Sequence, residues 1–83
     1  MTSEEILSVC NKIFIEQLDN KKIALTRTTA AKDIREWDSL TNIQLIVAIE
    51  KHFKLRFTSI ELQSLKNVGD ICDAIAQKTT KQG

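Results

Sequence analysis

Apolar residues recur at steps of three and four along two long segments, which is the spacing of one face of an α-helix. In the first segment, residues 3–18, Ser3 offers a cap oxygen and the glutamates behind it place negative charge in the first turn. The second segment begins at about Ser39 and ends near Phe53. Both segments are predicted as amphipathic helices. The apolar positions of the first are Ile6, Val9, Cys10, Ile13, Phe14 and Leu18.

Residues 19–38, which join the two helices, show no sustained period. A connection of this length is unusual in a compact domain and is often functional. Trp37, the only tryptophan, is predicted to pin the connection onto the bundle, since a large aromatic side chain buries much apolar area. The other apolar anchors of the connection are Ile23, Leu25 and Ile34.

Two shorter helical patterns follow the second helix. Ser59 with Glu61 predicts a turn or two of helix, and Asn67 with Asp70 resembles a capping box for a helix that continues to about Lys78. The pattern as a whole predicts an all-α fold, a three- to four-helix bundle with a long first loop. We expect a single domain over residues 1–78 and a frayed C-terminal tail over residues 79–83, because the tail has nothing to bury.

The helix from Ser39 to Phe53 has more apolar residues than one buried face requires. Leu45, Ile46, Ile49 and Phe53 fall in one sector of the helix, whereas Leu40, Ile43 and Val47 fall in a nearly opposite sector. A central helix of a bundle buries both sectors, but so small a chain has few helices to cover them. We therefore favour partial exposure of the second sector, and an exposed apolar patch generally marks a partner surface.

Charge and length exclude several classes of protein. The 83 residues carry 12 Lys+Arg against 11 Asp+Glu, without the clustered cations that nucleic-acid binding requires. No apolar run approaches the roughly 20 residues that span a bilayer, so we expect no membrane insertion. The acidic start of the chain is unlike a signal peptide, and we expect a monomer in the cytoplasm.

The sequence lacks the residues that a catalytic site or a metal site would require. Ser39 and His52, the only histidine, lie 13 residues apart on one predicted helix, which separates them by about 20 Å. No glycine-rich nucleophile elbow is present, so we do not expect an enzyme. Cys10 and Cys72 are not in a paired metal-ligand spacing, and we expect no metal site and two buried, reduced thiols.

Asp38, Ser39 and Leu40 stand at the start of a helix with an apolar second face, after a long loop. This arrangement resembles the acyl carrier protein family, which includes peptidyl and D-alanyl carriers, and the resemblance covers nearly the whole chain. It implies a 4′-phosphopantetheine arm, attached from coenzyme A to Ser39 by a phosphopantetheinyl transferase, with Asp38 and Leu40 flanking the site. A phosphodiester at a helix N-terminus would meet free amides and a favourable dipole.

The resemblance also implies how partners are bound. An acyl- or aminoacyl-loading enzyme and a downstream synthase or transferase would grip the second helix while the arm enters their active sites. The implied partner-facing residues are Leu40, Ile43, Val47 and Glu50.

The charge of this helix differs from that of carriers in fatty-acid synthesis, which look strongly acidic. Glu50 is its only acid, and Lys51 and Lys54 lie nearby. We therefore expect a stand-alone carrier that holds an acyl group as a thioester in a specialised biosynthetic pathway. An aminoacyl, peptidyl or D-alanyl carrier with the same arm is an alternative. A helical adaptor without cofactor, binding partners through Leu40, Ile43 and Val47, is another.

Overall fold

The computed structural model describes residues 2–80, without the side chain of Thr80. This part of the chain contains four α-helices and one 3-10 turn and no β-strand. The predicted all-α fold, a three- to four-helix bundle with a long first loop, is therefore confirmed, with four helices. The elements are α1 (Ser3–Leu18), the 3-10 turn (Ala31–Asp33), α2 (Ser39–Phe53), α3 (Ser59–Ser64) and α4 (Val68–Thr80).

The last helix is two residues longer than its apolar pattern predicts. It continues past Lys78 to Thr80, and the Thr79 hydroxyl donates a hydrogen bond to the carbonyl of Ile75 at 2.9 Å. The remainder of the predicted frayed tail, residues 81–83, lies outside the described residues.

Helix α1 is capped by the residue before the one that the sequence indicated. The Thr2 hydroxyl, rather than that of Ser3, accepts the Glu5 amide at 3.1 Å, and the Glu5 carboxylate accepts the Thr2 amide at 2.8 Å. Helix α3 repeats this reciprocal arrangement with Thr58 and Glu61. Each pair satisfies two backbone donors that a helix start leaves without an intrahelical partner.

Asn67 caps α4 as predicted, since its side-chain oxygen accepts the Asp70 amide at 2.8 Å. The Asp70 carboxylate accepts the amide of Lys66, not that of Asn67. The cap therefore has the predicted first half of a capping box and a different second half.

One apolar core holds the bundle together, with α1 packed against both α2 and α4. Its largest fully buried side chain is Phe14, and Trp37 meets the Phe14 ring edge-on at a centroid distance of 4.9 Å. The predicted role of Trp37 as the anchor of the long loop is thus what the structure shows. Ile23 and Leu25 of the same loop are also buried, whereas Ile34 is only partly so.

Hydrogen bonds fasten the middle of the loop to the start of α4. The Val68 amide donates to the Thr29 carbonyl at 2.8 Å, and the Gly69 amide donates to the Arg27 carbonyl at 2.7 Å. In addition to these backbone bonds, the Arg27 guanidinium forms an ion pair with the exposed carboxylate of Asp73. The loop is therefore held against the bundle at its buried anchors and at its bonds to α4. Among residues 2–80, no helix is long and apolar enough to cross a membrane.

Candidate functional site

Helix α2 begins at Ser39, and Asp38 is its cap. The Asp38 carboxylate oxygen Oδ1 accepts the amides of Leu40 and Thr41, both at 2.9 Å. These bonds lower the pKa of Asp38 below its usual range, and the bond from the Thr41 amide has the largest effect on it. Because Asp38 is ionised and bonded, the helix start does not depend on the serine beside it.

The Ser39 hydroxyl is left available by this arrangement. Its side chain is exposed, and within residues 2–80 it takes part in no hydrogen bond. A serine that caps a helix would have its oxygen turned back toward the backbone amides. The Ser39 oxygen is instead free to form a covalent bond with a group that approaches from solvent.

The turn that presents Ser39 is tied to the rest of the fold by its neighbours. The Thr41 hydroxyl donates to the Glu36 carbonyl at 2.7 Å and accepts the Asp38 amide at 2.9 Å. The Trp37 indole nitrogen donates to the Asn42 side chain at 2.9 Å. Reasoning from the sequence did not single out Thr41 or Asn42, although a threonine three residues after Asp38 is a recognisable capping pattern.

The start of α2 is less open to an anion than the sequence indicated. Two of its amides, those of Leu40 and Thr41, already bind the Asp38 carboxylate. A phosphodiester on Ser39 would therefore lie next to a helix dipole that Asp38 partly neutralises. What the structure offers the group is an exposed hydroxyl on a rigid turn.

The second apolar sector of α2 meets solvent. Leu40 is 70% exposed, Ile43 62% and Val47 42%, whereas the opposite sector is buried in the core. The predicted exposure of these three residues is confirmed, and we call them the apolar stripe. It starts at the residue after Ser39 and follows the helix. Helix α3 adds two exposed apolar residues that the sequence reasoning missed, Ile60 and Leu62.

Glu50 has a structural contact that its position in the sequence does not reveal. It is partly buried, and its carboxylate accepts the Phe57 amide at 2.9 Å, which ties the end of α2 to the segment before α3. A contact between Glu50 and partner enzymes therefore stays a prediction. Such a contact would compete with the bond to the Phe57 amide.

The remaining reactive side chains lie apart from Ser39. His52 is exposed and packs edge-on against Phe53, near the other end of α2. Cys10 and Cys72 are free and buried in the core, where their thiols interact. Among the described residues, no cluster of His, Cys, Asp and Glu could hold a metal ion.

A small helical bundle that presents an exposed, unbonded serine beside an exposed apolar stripe has the features of a protein that carries a covalently attached group. Comparison with known proteins agrees. The phosphopantetheine attachment site family matches residues 22–75 of the chain. The chain belongs to this family of carrier proteins. Membership makes it a carrier of a 4′-phosphopantetheine arm rather than an enzyme.

Individual relatives cover nearly the whole chain. The acyl carrier protein of Caulobacter vibrioides is 32% identical over 75 residues, which are 90% of this chain and 96% of the relative. That of Cyanidium caldarium is 33% identical, over 94% of this chain and 91% of the relative. The solution structure of holo acyl carrier protein from Geobacter metallireducens is 44% identical and has a TM-score of 0.88, over 93% of this chain and 88% of that one.

Proposed function

We propose that this protein is an acyl carrier whose arm is attached to Ser39. The observation that supports this site most directly is the exposed, unbonded hydroxyl at the start of α2, where the neighbouring Asp38 performs the capping. The chemistry requires only an accessible oxygen. It forms a new bond to the phosphorus of coenzyme A that carries the pantetheine, its proton leaves, and the nucleotide part of the coenzyme departs.

The arm ends in a thiol, which holds an acyl group as a thioester. The chain itself contributes position. Asp38 and Thr41 hold the turn, Trp37 fixes the turn to the core, and the apolar stripe gives an enzyme a surface to bind beside the modified serine. A phosphopantetheinyl transferase, a loading enzyme and a downstream synthase or transferase are the partners that this role requires. We propose that they bind a monomer in the cytoplasm.

A specialised pathway fits the charge of α2 better than housekeeping fatty-acid synthesis. Glu50, the only acid of this helix, is bonded to the backbone of Phe57, and exposed lysines stand at its C-terminal end. An enzyme built for a strongly acidic carrier would find little to bind here. Aminoacyl, peptidyl and D-alanyl carriers use the same arm and remain the alternative cargo classes, because the loading enzyme chooses the cargo.

The site is tested by intact mass after incubation with coenzyme A and a phosphopantetheinyl transferase. Wild type should gain one phosphopantetheine, and Ser39→Ala none. Ser59→Ala is a matched control, since Ser59 is also the exposed first residue of a helix, follows a capping residue and precedes an exposed isoleucine. It should be modified like wild type.

The same variants separate chemistry from folding. Because Asp38 caps α2, Ser39→Ala should change the free energy of unfolding by no more than about 0.5 kcal/mol, as for a surface substitution. Modification of Ser39→Ala would place the arm elsewhere. If the wild-type protein takes up no arm under these conditions, the remaining hypothesis is the cofactor-free adaptor, which binds partners through Leu40, Ile43 and Val47.

A further inference from the structure

The apolar stripe of α2 ends in positive charge. Lys51 lies four residues after Val47 and shares its face of the helix, and Lys54 is the residue that ends the helix. Both are exposed, and together with the exposed Arg56 they line one shallow depression at the C-terminal end of α2. None of the three cations has an ion-pair partner within residues 2–80.

The carboxylates nearest in sequence are engaged within the fold. Glu50, which also lines the depression, binds the Phe57 amide. Glu61 of α3 is paired with Lys78 of α4 at 2.8 Å, and this contact is the main reason why the pKa of Glu61 is lowered. Asp38 is an exposed anion, but it lies at the other end of α2, 16 residues before Lys54 and about 24 Å along the axis.

The dipole of α2 does not by itself account for these cations. A cation near a helix C-terminus is favourable by a modest amount. Helix α1, however, has no basic residue in its last turn and ends at Asp19 in the same left-handed conformation in which α2 ends at Lys54. In this fold a helix can therefore end without a cation in its last turn, and the lysines nearest the end of α1, Lys21 and Lys22, follow it in the loop. The cations of α2 are distinguished by lying in line with an exposed apolar stripe.

We propose that the enzymes acting on this carrier present a docking face that is apolar opposite Leu40, Ile43 and Val47 and acidic opposite Lys51, Lys54 and Arg56. The inference rests on the proposed function, because an enzyme that receives the arm from Ser39 must lie along the exposed side of α2. A carboxylate opposite the cations would gain an ion pair there. A basic docking face would place like charges together, which opposes binding.

The occupant of this surface is a protein and not a lipid bilayer. The stripe runs directly away from Ser39, so whatever covers it must also admit the arm into a reaction site. Charge at one end of an apolar stripe also fixes the direction in which an enzyme lies along α2, since the Asp38 end is negative and the Lys54 end positive. Orientation of this kind brings the active-site entrance to Ser39.

The test uses two synthetic amphipathic helical peptides with the same leucine face and with either glutamates or lysines flanking it. Each is titrated into the isotope-labelled holo protein and followed by amide chemical shifts. The glutamate peptide should bind and shift the amides of Val47, Lys51 and Lys54, and its binding should weaken as salt screens the charges. The lysine peptide should bind at least about fivefold more weakly, as expected for the loss of a few exposed ion pairs.

Matched variants assign the preference to α2. Lys51→Gln/Lys54→Gln should weaken binding of the glutamate peptide about fivefold. Lys21→Gln/Lys22→Gln removes the same charge from exposed lysines of the first loop and should leave binding unchanged. Equal binding of both peptides, or an equal effect of the two double variants, would overturn the proposal.

Two further outcomes count against it. Binding of the holo protein to phosphatidylglycerol vesicles through Lys51 and Lys54, without a preference between the peptides, would make the surface a membrane contact. Self-association that is lost in Lys51→Gln/Lys54→Gln would make it an interface between copies of the chain. The intact mass of the same sample shows whether the arm is attached, which keeps the two proposals separate. Absence of the arm would contradict the attachment at Ser39, and the peptide preference would then be judged on its own.

Discussion

At the scale of single residues, Asp38 caps α2 and Ser39 presents a free hydroxyl. At many helix starts a serine uses its hydroxyl for the cap. Asp38 satisfies the amides of the first turn, so the Ser39 oxygen is not needed for folding. Thr58 and Ser59 have the same relation at the start of α3, which shows that the geometry alone does not define an attachment site. The carboxylate at the cap and the apolar stripe behind the serine distinguish the first case from the second.

The two cysteines lead to a prediction at this scale. The interaction between the two buried thiols raises the pKa of Cys10 and lowers that of Cys72, so the pKa shifts alone do not protect the pair. Because both side chains are almost fully shielded from solvent, the pair should resist oxidation and alkylation in the folded protein. We expect two free thiols in freshly purified protein, detected by alkylation only after unfolding. The Ser39→Ala variant is used so that the thiol of the arm does not contribute. A disulfide in the non-reduced mass would contradict this prediction.

At the scale of elements, α2 is a helix with two apolar faces that serve different purposes. Leu45 and Ile49 pack in the core, whereas Leu40 and Ile43 are largely exposed on the opposite side. The exposed stripe stabilises the fold little, because its side chains remain in contact with water in the folded state. We expect the stripe to stabilise complexes with partners, because binding removes the same apolar area from water.

Replacement of Val47 by Asp tests this division. Val47 is 42% exposed, so the helical spectrum and melting temperature should change little. Loading by the cognate enzyme should slow by about tenfold or more, since a charge would enter an apolar contact and oppose an acidic docking face. Ser8→Asp, which adds the same charge to an exposed position of α1, should load like wild type. Unimpaired loading of Val47→Asp would show that the stripe is not the docking surface.

At the scale of the whole molecule, the long loop connects the site to the last helix. Its carbonyls at Arg27 and Thr29 accept the first amides of α4, and its Trp37 packs on Phe14 of α1. The position of Ser39 therefore depends on contacts with α1 and α4 as well as on α2. Gly69 makes the contact with α4 possible, since a Cβ there would lie 2.7 Å from the Arg27 carbonyl oxygen.

Gly69→Ala should consequently destabilise the protein. Alanine is normally preferred to glycine in a helix by up to about 1 kcal/mol. Overpacking against the backbone of the loop costs roughly 1 to 3 kcal/mol, so a net loss of about 1 kcal/mol is expected. Thermal or urea unfolding measures it. Asp73→Asn is the control, because it breaks only the exposed ion pair with Arg27 and should have little effect. A Gly69→Ala protein as stable as wild type would show that the loop can move away from the added methyl group without lowering the free energy of unfolding.

The helices, the inward faces of the long ones and the candidate serine could be predicted from the sequence alone, whereas the core residues Leu55 and Phe57 were missed. Periodicity marks which residues of α1, α2 and α4 face inward, because burial of one helix face imposes a repeat of three and four residues. It also marks the second sector of α2, and the structure confirms that Leu40, Ile43 and Val47 are exposed. The aperiodic connection was recognised, but its course was not, since its bonds to α4 join residues about 40 positions apart in a way that no local pattern encodes.

Which polar groups are free to act could be seen only in the folded protein. The sequence shows Glu50 and Glu61 only as acids of two predicted helices, whereas in the fold one binds the Phe57 amide and the other Lys78. Asp and Ser are both common capping residues, and the fold uses Asp38 as the cap of α2. The proximity of Cys10 and Cys72 is a further case, because α1 and α4 meet only when the bundle closes. The physical reason is common to all of them: a hydrogen bond or ion pair depends on positions in space, whereas a sequence pattern records only burial along one element.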